Sequence, residues 1–427
     1  MKLKPGWRHV KLSDIAKIKS GSTPLRAEGE RYFSTAGTPW VKTLDLNNGE
    51  IISTDEKITD TALLETSCSV FPVGTVLVAM YGGFNQIGRT GLLTIPAAIN
   101  QALSGLILDR DKAEPAYILN YLNGNVKLWK KFAASSRKDP NITRDDVCGF
   151  PVLLPPLAEQ KKIAEILSTW DKAISVTEKC LTNSKRQKKA LMQQLLTGKK
   201  RLLDENGVRF SGDWGKFTLS HFGKCIRGVS YKPENICENE SDNTIRLLRS
   251  TNIQNGELND KDLIILPKKL VKPMQVLMDG DLAICMANGS KSLVGKSAPY
   301  KPNDADYTVG AFCALFRPLK SVSSSFVKFL FESNQYQSQL LVILAGSSIN
   351  NLKGSDIESI NIDAPLHYKE QQKIAAVLSA ADAEISTLEK KLACLKDEKK
   401  ALMQQLLTGK RRVSVPVKVE EKEAVSA

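Results

Sequence analysis

The chain has 427 residues, 42% of them hydrophobic, which is enough to bury more than one core. Its 60 lysines and arginines against 46 acidic residues give a formal net charge of +14, which favours a polyanionic partner without identifying it. The first residues lack the apolar core of a secretion signal, and no run approaches the roughly 20 apolar residues of a membrane span. These features argue against secretion and membrane insertion, and they predict a cytoplasmic protein of several domains.

A first domain is predicted at residues 1–154. It mixes short strands with scattered helices, which is typical of the α+β class. Residues 73–80 read as a strand, residues 117–132 as one amphipathic helix, and Asn48-Gly49 as a turn between apolar runs.

A first long helix is predicted at residues 155–200. Its seam positions alternate spacings of four and three residues, the 3.5-residue period of a coiled coil. Pro156 and Gly198 suit the start and the end of a helix, and the stretch from Ile163 to Leu195 would be about 48 Å long. Polar residues within the seam predict either an incomplete seam or one shared with a partner. The seam residues are Ile163, Leu167, Trp170, Ile174, Thr177, Leu181, Ser184, Lys188, Leu191 and Leu195.

A second domain, predicted at residues 201–363, repeats the first one loosely. Leu219 and Gly228 match Leu12 and Gly21 at one offset, since 219 − 12 and 228 − 21 both equal 207. Residues 279–286 again predict a strand, residues 326–344 an amphipathic helix, and Asn255-Gly256 a turn.

A second long helix, predicted at residues 364–410 and entered through Pro365, repeats the first one without insertion or deletion. The Glu-Gln pairs and the terminal glycines share one offset, since 370 − 159 and 409 − 198 both equal 211. We expect the helices to pair as an antiparallel coiled coil; helices that only hold domains together would not need equal lengths. The second seam comprises Ile374, Leu378, Ala381, Ile385, Leu388, Leu392, Leu395, Lys399, Leu402 and Leu406. The tail at residues 411–427 is charged, poor in large apolar groups and predicted to be disordered.

The sequence does not predict an active site. Residues 289–297 resemble a phosphate-binding P-loop, but five residues separate Gly289 from Gly295 where that motif has four. Eight cysteines without a C-x-x-C pair are typical of free thiols, and the three histidines are isolated. The turns with Arg89 and Lys296 present one basic residue per domain, either to DNA or to solvent.

Candidate DNA contacts follow from side-chain chemistry. Arg, Lys, Asn and Gln read base edges, whereas Ser, Thr and Lys contact phosphates. Each candidate is alternatively a solvated loop residue. The lysines and the arginine at 185–189 of the first long helix either border DNA or solvate the helix. In the first domain they are Ser22, Thr23, Arg26, Lys42, Asn85, Gln86, Arg89, Ser136, Arg137 and Lys138. In the second they are Arg227, Tyr231, Lys232, Arg249, Asn252, Asn288, Lys291, Lys296, Ser348 and Asn350.

This tandem pattern resembles the specificity subunit of Type I restriction-modification systems. The resemblance is carried by the helix entrances at residues 156–160 and 365–371, by the two KKALMQQLLTGK blocks at 188–199 and 399–410, and by the Gly-Ser-Thr-Pro loop at 21–24. It extends from Trp7 to Gly409. The second entrance is longer, and the loop at 228–233 is less compact than its counterpart.

The resemblance implies a non-catalytic chain in which each domain reads one half of a split, asymmetric target in double-stranded DNA. The helices would pair, fix the unread spacer and dock methyltransferase subunits. No cofactor is expected on this chain; S-adenosylmethionine, ATP and Mg²⁺ are expected on the methyltransferase and the restriction/translocase subunits. The residues expected to serve the coiled coil and docking are Ile163, Leu167, Trp170, Ile174, Leu191, Leu195, Ile374, Leu378, Ile385, Leu388, Leu392, Leu395, Leu402 and Leu406.

Two other classes of protein would require different features. An autonomous nuclease or methyltransferase would need a cofactor loop and an acidic catalytic cluster, which the sequence does not offer. A coiled-coil scaffold would bind DNA without sequence preference.

Overall fold

The structure is a computed structural model that describes residues 4–133, 141–212, 214–346 and 351–414. It divides into two compact units. Unit 1 comprises the described residues of Met1–Glu178 and Lys390–Ala427, and unit 2 comprises those of Lys179–Glu389. The segment boundaries predicted from sequence stay a prediction.

Unit 1 opens with a mixed α+β domain. Its strands are β1 (Arg8–Lys11), β2 (Ala16–Ser20), β3 (Phe33–Ser34), β4 (Thr38–Val41), β5 (Gly49–Ile51), β6 (Glu56–Ile58), β7 (Val76–Ala79), β8 (Thr90–Leu93), β9 (Ala98–Ile99), β10 (Leu103–Leu108) and β11 (Pro151–Leu154). Its short helices are α1 (Leu12–Ile15), α2 (Asp60–Glu65), α3 (Pro115–Gly124), α4 (Val126–Ala133) and α5 (Arg144–Cys148). The strands form sheets in the orders β2-β10-β7-β8-β5, β3-β6-β4-β9 and β1-β11.

The long helix α6 (Leu157–Leu195) then passes from unit 1 into unit 2. The strands of unit 2 are β12 (Trp214–Thr218), β13 (Gly223–Arg227), β14 (Thr244–Leu248), β15 (Ile253–Gln254), β16 (Glu257–Leu258), β17 (Ile264–Pro267), β18 (Leu282–Cys285), β19 (Ser297–Pro299), β20 (Tyr307–Val309), β21 (Cys313–Pro318) and β22 (Asn361–Pro365). Its helices are α7 (Ser324–Glu332), α8 (Asn334–Ala345), α9 (Gly354–Glu358) and the first part of α10 (Tyr368–Leu406).

The two domains share one topology. The order β13-β21-β18-β19 in unit 2 corresponds to β2-β10-β7-β8 in unit 1, and β12-β22 corresponds to β1-β11. Each unit also pairs a central strand with a parallel neighbour, β4 with β9 and β14 with β20. These correspondences confirm the predicted class, two similar α+β domains with two long helices.

The two long helices are equal in length, with 39 residues each. Within each unit they run antiparallel. In unit 1, Lys399 contacts Asp171 and Lys396 contacts Glu178, at 2.5 Å and 2.7 Å. In unit 2 the equivalent pairs, each shifted by 211 positions, are Lys188 with Asp382 and Lys185 with Glu389, both at 2.6 Å.

The buried face of both helices follows the predicted 3.5-residue seam. All twenty predicted seam positions are buried or half-buried, whereas Val176, which lies outside the seam, is exposed. The helix ends also enter the domain cores. Ile163 and Leu167 pack in the core of unit 1 together with Leu406. In unit 2, Leu195 packs with Ile374 and Leu378, so both helices are anchored by tertiary packing at each end.

The polar seam residues predict either an incomplete seam or one shared with a partner, and in the structure two of them have partners within the chain. Ser184 donates to Glu384 at 2.7 Å, and Thr177 donates to the carbonyl of Ala173 at 2.8 Å. A polar group in such a position is costly only when it is left without a partner. The hydroxyls of these two polar seam residues are therefore paired within the chain.

The predicted single helices at 117–132 and 326–344 are each two helices, so that prediction was wrong in detail. α3 ends before Asn125, whose side-chain amide donates to Tyr121 O at 2.8 Å. Ser333 separates α7 from α8: its hydroxyl donates to Leu330 O and accepts from Tyr336 N, which caps the second helix.

Some of the predicted turns and helix boundaries are confirmed by the structure, and others are not. Asn255-Gly256 forms a hairpin turn with both φ angles positive, as predicted. Asn48 also bends the chain, with φ 62°, but no hairpin forms there, because β5 pairs in parallel with the distant β8. Gly198 and Gly409 end the long helices with φ of 70° and 67°. Pro365 ends β22, however, and does not start α10.

Candidate nucleic-acid interface

In each unit, the loops that carry candidate DNA contacts meet at one turn. We call residues 99–103 turn 1 and residues 309–313 turn 2. The backbone bonds at turn 1 are Gly21 N to Leu103 O (3.2 Å), Asn100 N to Val41 O (3.0 Å) and Met80 N to Ala102 O (2.8 Å). Those at turn 2 are Gly228 N to Cys313 O (3.0 Å), Gly310 N to Leu248 O (2.9 Å) and Met286 N to Phe312 O (2.9 Å). Three loops far apart in sequence are thus held together in both units.

Two glycines allow this close approach. A Cβ built on Gly21 would lie 2.2 Å from Ile99 O, and one on Gly228 would lie 2.1 Å from Gly310 O. Any side chain at either position would separate the loop from its turn. The glycines that match in the sequence repeat therefore have the same structural role.

The first loop of unit 1 lies against turn 1. The Thr23 hydroxyl donates to the side chain of Gln101, and the Ser22 and Ser67 hydroxyls are 2.8 Å apart. Gln101 is exposed on the turn itself and was missed by the sequence analysis.

Arg26 and Lys42 share one acidic partner. Both contact Glu56 at 2.8 Å, and the Arg26 guanidinium lies 4.3 Å from the ring centre of Phe33. The hydrogen bond from Lys42, assisted by Arg26, holds the pKa of Glu56 below its usual range against the opposing effect of burial. Glu56 therefore stays ionised and fixes the direction of both cations.

The loop between β7 and β8 carries Asn85, Gln86 and Arg89. The Arg89 guanidinium donates to Asn85 O at 3.2 Å, which bends the side chain along the loop. Gly88 has φ 76°, and a Cβ there would lie 2.6 Å from the Trp129 ring of α4. Tyr81 is an exposed aromatic in the same loop.

The matching loop of unit 2 runs from β18 to β19 and carries Asn288, Lys291 and Lys296. Both lysines are exposed, and the Asn288 amide donates to the Ser250 hydroxyl at 3.3 Å. Gly295 has φ 82°, and a Cβ there would lie 2.3 Å from Leu340 of α8. In each unit, a glycine with a positive φ packs closely against a helix. The residue that follows it is a cation, Arg89 in unit 1 and Lys296 in unit 2.

The remaining candidates of unit 2 differ in availability. Arg227 and Lys232 are exposed, Tyr231 is half-buried, and Arg249 donates to Asp262 O at 2.8 Å. Asn252 is only 1% exposed, and its side chain bonds to three backbone groups, in Arg249, Asn259 and Lys261. Asn252 therefore shapes the loop, and we leave it out of the proposed interface.

Some predicted residues cannot be placed. Ser136, Arg137, Lys138, Ser348 and Asn350 lie outside the described residues, as does the predicted tail from residue 415 onward.

Lys188, for which the sequence leaves open a place beside DNA or in solvent, has acidic neighbours in the structure. Its ammonium lies 2.6 Å from both Glu332 and Asp382, and Lys328 also contacts Asp382 at 2.6 Å. Burial alone would raise the pKa of Asp382, but hydrogen bonds from the two lysines outweigh burial and lower it. This half-buried network joins α7 to both long helices within unit 2.

Two buried glutamates are the main residues that sequence reasoning missed. Glu370 binds Arg201 through two hydrogen bonds of 2.5 Å and 2.7 Å, and Glu159 binds Arg412 at 3.1 Å and 2.7 Å. In each unit, the start of one long helix thereby holds the chain that follows the end of the other. Arg412 had been assigned to the disordered tail. The sequence repeat contains a signal for this pair of arginines, because Arg201 and Arg412 are separated by 211 positions, as the two glutamates are.

The adjacent glutamines repeat this anchoring role. Gln160 donates to Pro155 O and Gln371 donates to Pro365 O, both at 2.8 Å. The Glu-Gln motif is thus explained by the folding of the helix entrance.

Within the described ranges, no cluster of three or more His, Cys, Asp or Glu residues could hold a metal ion. None of the described helices is long and apolar enough to cross a membrane.

Comparisons with known proteins agree on one family. The model of the Type I restriction modification DNA specificity domain matches residues 4–183 and 211–396. The Type I restriction enzyme StySPI specificity subunit of Salmonella potsdam is 33% identical over 200 residues, which make up 46% of this chain and 43% of that protein. The chain therefore matches less than half the length of that relative.

Two further proteins match along nearly the whole chain. The Type I restriction enzyme MjaVIII specificity subunit of Methanocaldococcus jannaschii is 25% identical over 429 residues, covering 95% of this chain and 93% of that one. The crystal structure of a Type-I restriction-modification system S subunit from M. genitalium matches with a TM-score of 0.62 at 14% identity, covering 95% and 98% of the two chains. The latter shows a common fold.

Proposed function

The chain belongs to the family of the Type I restriction modification DNA specificity domain, and on that premise we propose that it selects the DNA target of a Type I restriction-modification complex. Each unit reads one half of a bipartite, asymmetric site in double-stranded DNA. The observation that carries this proposal is the repetition of one scaffold, with the same three loops held at turn 1 and turn 2 but with different side chains on them. Loops held by a rigid scaffold are where recognition residues concentrate.

The long helices are proposed to set the unread spacer between the half-sites. Equal lengths of 39 residues and equivalent ion pairs in both units support a structure whose length matters. Half-sites of two-fold DNA readers lie about 34–36 Å apart or at multiples of that distance, and a helix of this length extends about 58 Å.

The helices are also proposed to dock methyltransferase subunits. Exposed apolar side chains lie at the start of α10 and on the outer face of α6, at Leu366, Tyr368 and Val176. Exposed apolar groups beside a seam that is already filled suit contact with another protein.

The chemistry is assigned to partner subunits. The methyltransferase would bind S-adenosylmethionine and methylate adenine, and the restriction/translocase subunits would bind ATP and Mg²⁺. This chain would act without a catalytic residue of its own, in the cytoplasm, where cellular DNA is accessible.

The test is to express the methyltransferase partner with and without this chain and to map methylated adenines across the genome. We expect methylation only when the chain is present, at a motif of two defined parts separated by an undefined spacer of fixed length. Methylation that persists without the chain would instead indicate an autonomous methyltransferase. A continuous motif would also contradict the proposal, and affinity for DNA without any preferred motif would indicate a scaffold.

A further inference from the structure

Turn 2 carries a phenylalanine, Phe312, whose side chain is not part of the buried core. The Phe312 side chain is 70% exposed, although it directly precedes the buried strand β21. Large apolar side chains are usually buried, and an exposed one at a recognition surface is a candidate contact residue.

The backbone beneath this ring is well anchored. Phe312 O accepts hydrogen bonds from both Met286 N and Ala287 N, at 2.9 Å and 3.1 Å. On either side, Cys313 N donates to Gly310 O at 2.8 Å and Gly310 N donates to Leu248 O at 2.9 Å. The ring therefore projects from a fixed turn, so contacting a ligand would cost little ordering of the backbone.

The surroundings of the ring favour a polyanion over an apolar protein surface. The loops bonded to turn 2 continue into exposed cations, Arg227 and Lys232 on one side and Lys291 and Lys296 on the other. A turn that bears an exposed apolar ring and is bonded to loops with exposed cations fits DNA, since the cations suit the phosphates and the ring suits the bases.

The equivalent turn of unit 1 carries different chemistry on the same backbone. Gln101 and Ala102 stand where unit 2 has Ala311 and Phe312, and Met80 N bonds to Ala102 O as Met286 N bonds to Phe312 O. A turn whose backbone is kept while its side chains change, from Gln101-Ala102 in unit 1 to Ala311-Phe312 in unit 2, suits residues that distinguish the two half-sites.

We propose that Phe312 makes an apolar contact with the base pairs of the half-site read by unit 2 and is a specificity-determining residue there. This inference rests on the function proposed above. Phenylalanine contacts thymine methyl groups in the major groove and can also wedge between base steps in the minor groove. Both modes are sequence-dependent, and neither depends on counterion release.

The test compares Phe312→Ala with Leu319→Ala in the full chain assembled with its methyltransferase partner. Leu319 is 40% exposed and lies just beyond the opposite end of β21, so it matches Phe312 in apolar character but lies outside the loop cluster. The probes are a duplex that carries the mapped motif, its single-base variants, and a scrambled duplex of the same length.

We expect Phe312→Ala to weaken binding of the motif duplex by roughly 5- to 100-fold. Binding of the scrambled duplex and its salt dependence should stay unchanged, and discrimination should be lost at one or two positions of a single half-site. Leu319→Ala should bind like the wild type. Unchanged discrimination, or equal losses on both duplexes, would overturn the proposal. Loss of the methyltransferase subunit with discrimination intact would assign Phe312 to a protein contact instead.

The same experiment separates this inference from its premise. A wild-type complex without a bipartite motif would contradict the proposed function, whereas an intact bipartite motif read equally well by Phe312→Ala would contradict only the role of Phe312.

Discussion

Adding one heptad to both long helices is expected to lengthen the spacer of the DNA target by about three base pairs. Seven helical residues add about 10 Å, and each base pair adds ~3.4 Å along the DNA axis. The insertions would duplicate residues 172–178 of α6 and 383–389 of α10, each ending where the helix passes between units. A seven-residue insertion keeps the seam in register, because the seam period is 3.5 residues.

The spacer is measured by mapping methylated adenines with the doubly inserted chain and its methyltransferase partner. Two controls separate the effect of helix length from the effect of helix sequence. Exchanging the same two heptads between the helices, without insertion, should leave the spacer unchanged. A heptad inserted in α6 alone should abolish methylation, because the helices would no longer match. An active double insertion that keeps the original spacer would show that the helices do not set it.

Replacing Arg201 by alanine is expected to lower the free energy of unfolding of unit 2 by about 3–5 kcal/mol. The carboxylate of Glu370 is 1% exposed and is held by two hydrogen bonds from a guanidinium that is itself only 19% exposed. Removing the cation would leave a buried charge without its partner, which costs more than the ion pair itself contributes. Denaturant unfolding, read from hydrogen exchange of unit 2 peptides, measures the loss.

The internal repeat supplies a matched control for Arg201→Ala. Arg412→Ala removes the equivalent cation in unit 1, but Arg412 is 41% exposed and Glu159 keeps a hydrogen bond from the Trp7 indole at 3.1 Å. Its effect should therefore be smaller. Adding Glu370→Gln to Arg201→Ala should recover part of the loss by removing the charge. Equal losses for the two arginines would show that neither the exposure of the arginine nor the hydrogen bond from Trp7 determines the size of the loss.

The long helices could be predicted from sequence because their pattern is local and repeated. A 3.5-residue period and one constant offset define both the seam and the equal lengths. What the pattern does not contain is the set of partners outside the helices. Lys188 pairs with Glu332 of α7, and Glu370 pairs with Arg201 beyond the end of α6. Lys188, Glu370 and Arg201 have counterparts at the repeat offset, and Glu332 does not, but the contacts of all four appear only in the fold.

The candidate interface was predicted by residue type. Residue type identified the loops that carry candidate contacts, but it did not identify the turn at which these loops meet. Turn 2 joins β20 to β21 and is bonded to residues near positions 228, 248 and 286, so its central place depends on tertiary pairing. Residue type also selected Asn252, whose amide proves to be used inside its own loop. Residue type did not select Phe312, because phenylalanine is not among the polar residue types that define candidate contacts to base edges and phosphates.

We infer that two separate reading domains share one spacer, and exchanging one domain is the sharpest test of this claim. Residues 1–154 would be replaced by the first domain of another family member, and methylated adenines would be mapped with the same methyltransferase partner. We predict a new sequence in one half-site, with the other half-site and the spacer length unchanged. A change in both half-sites, or in the spacer, would contradict the claim.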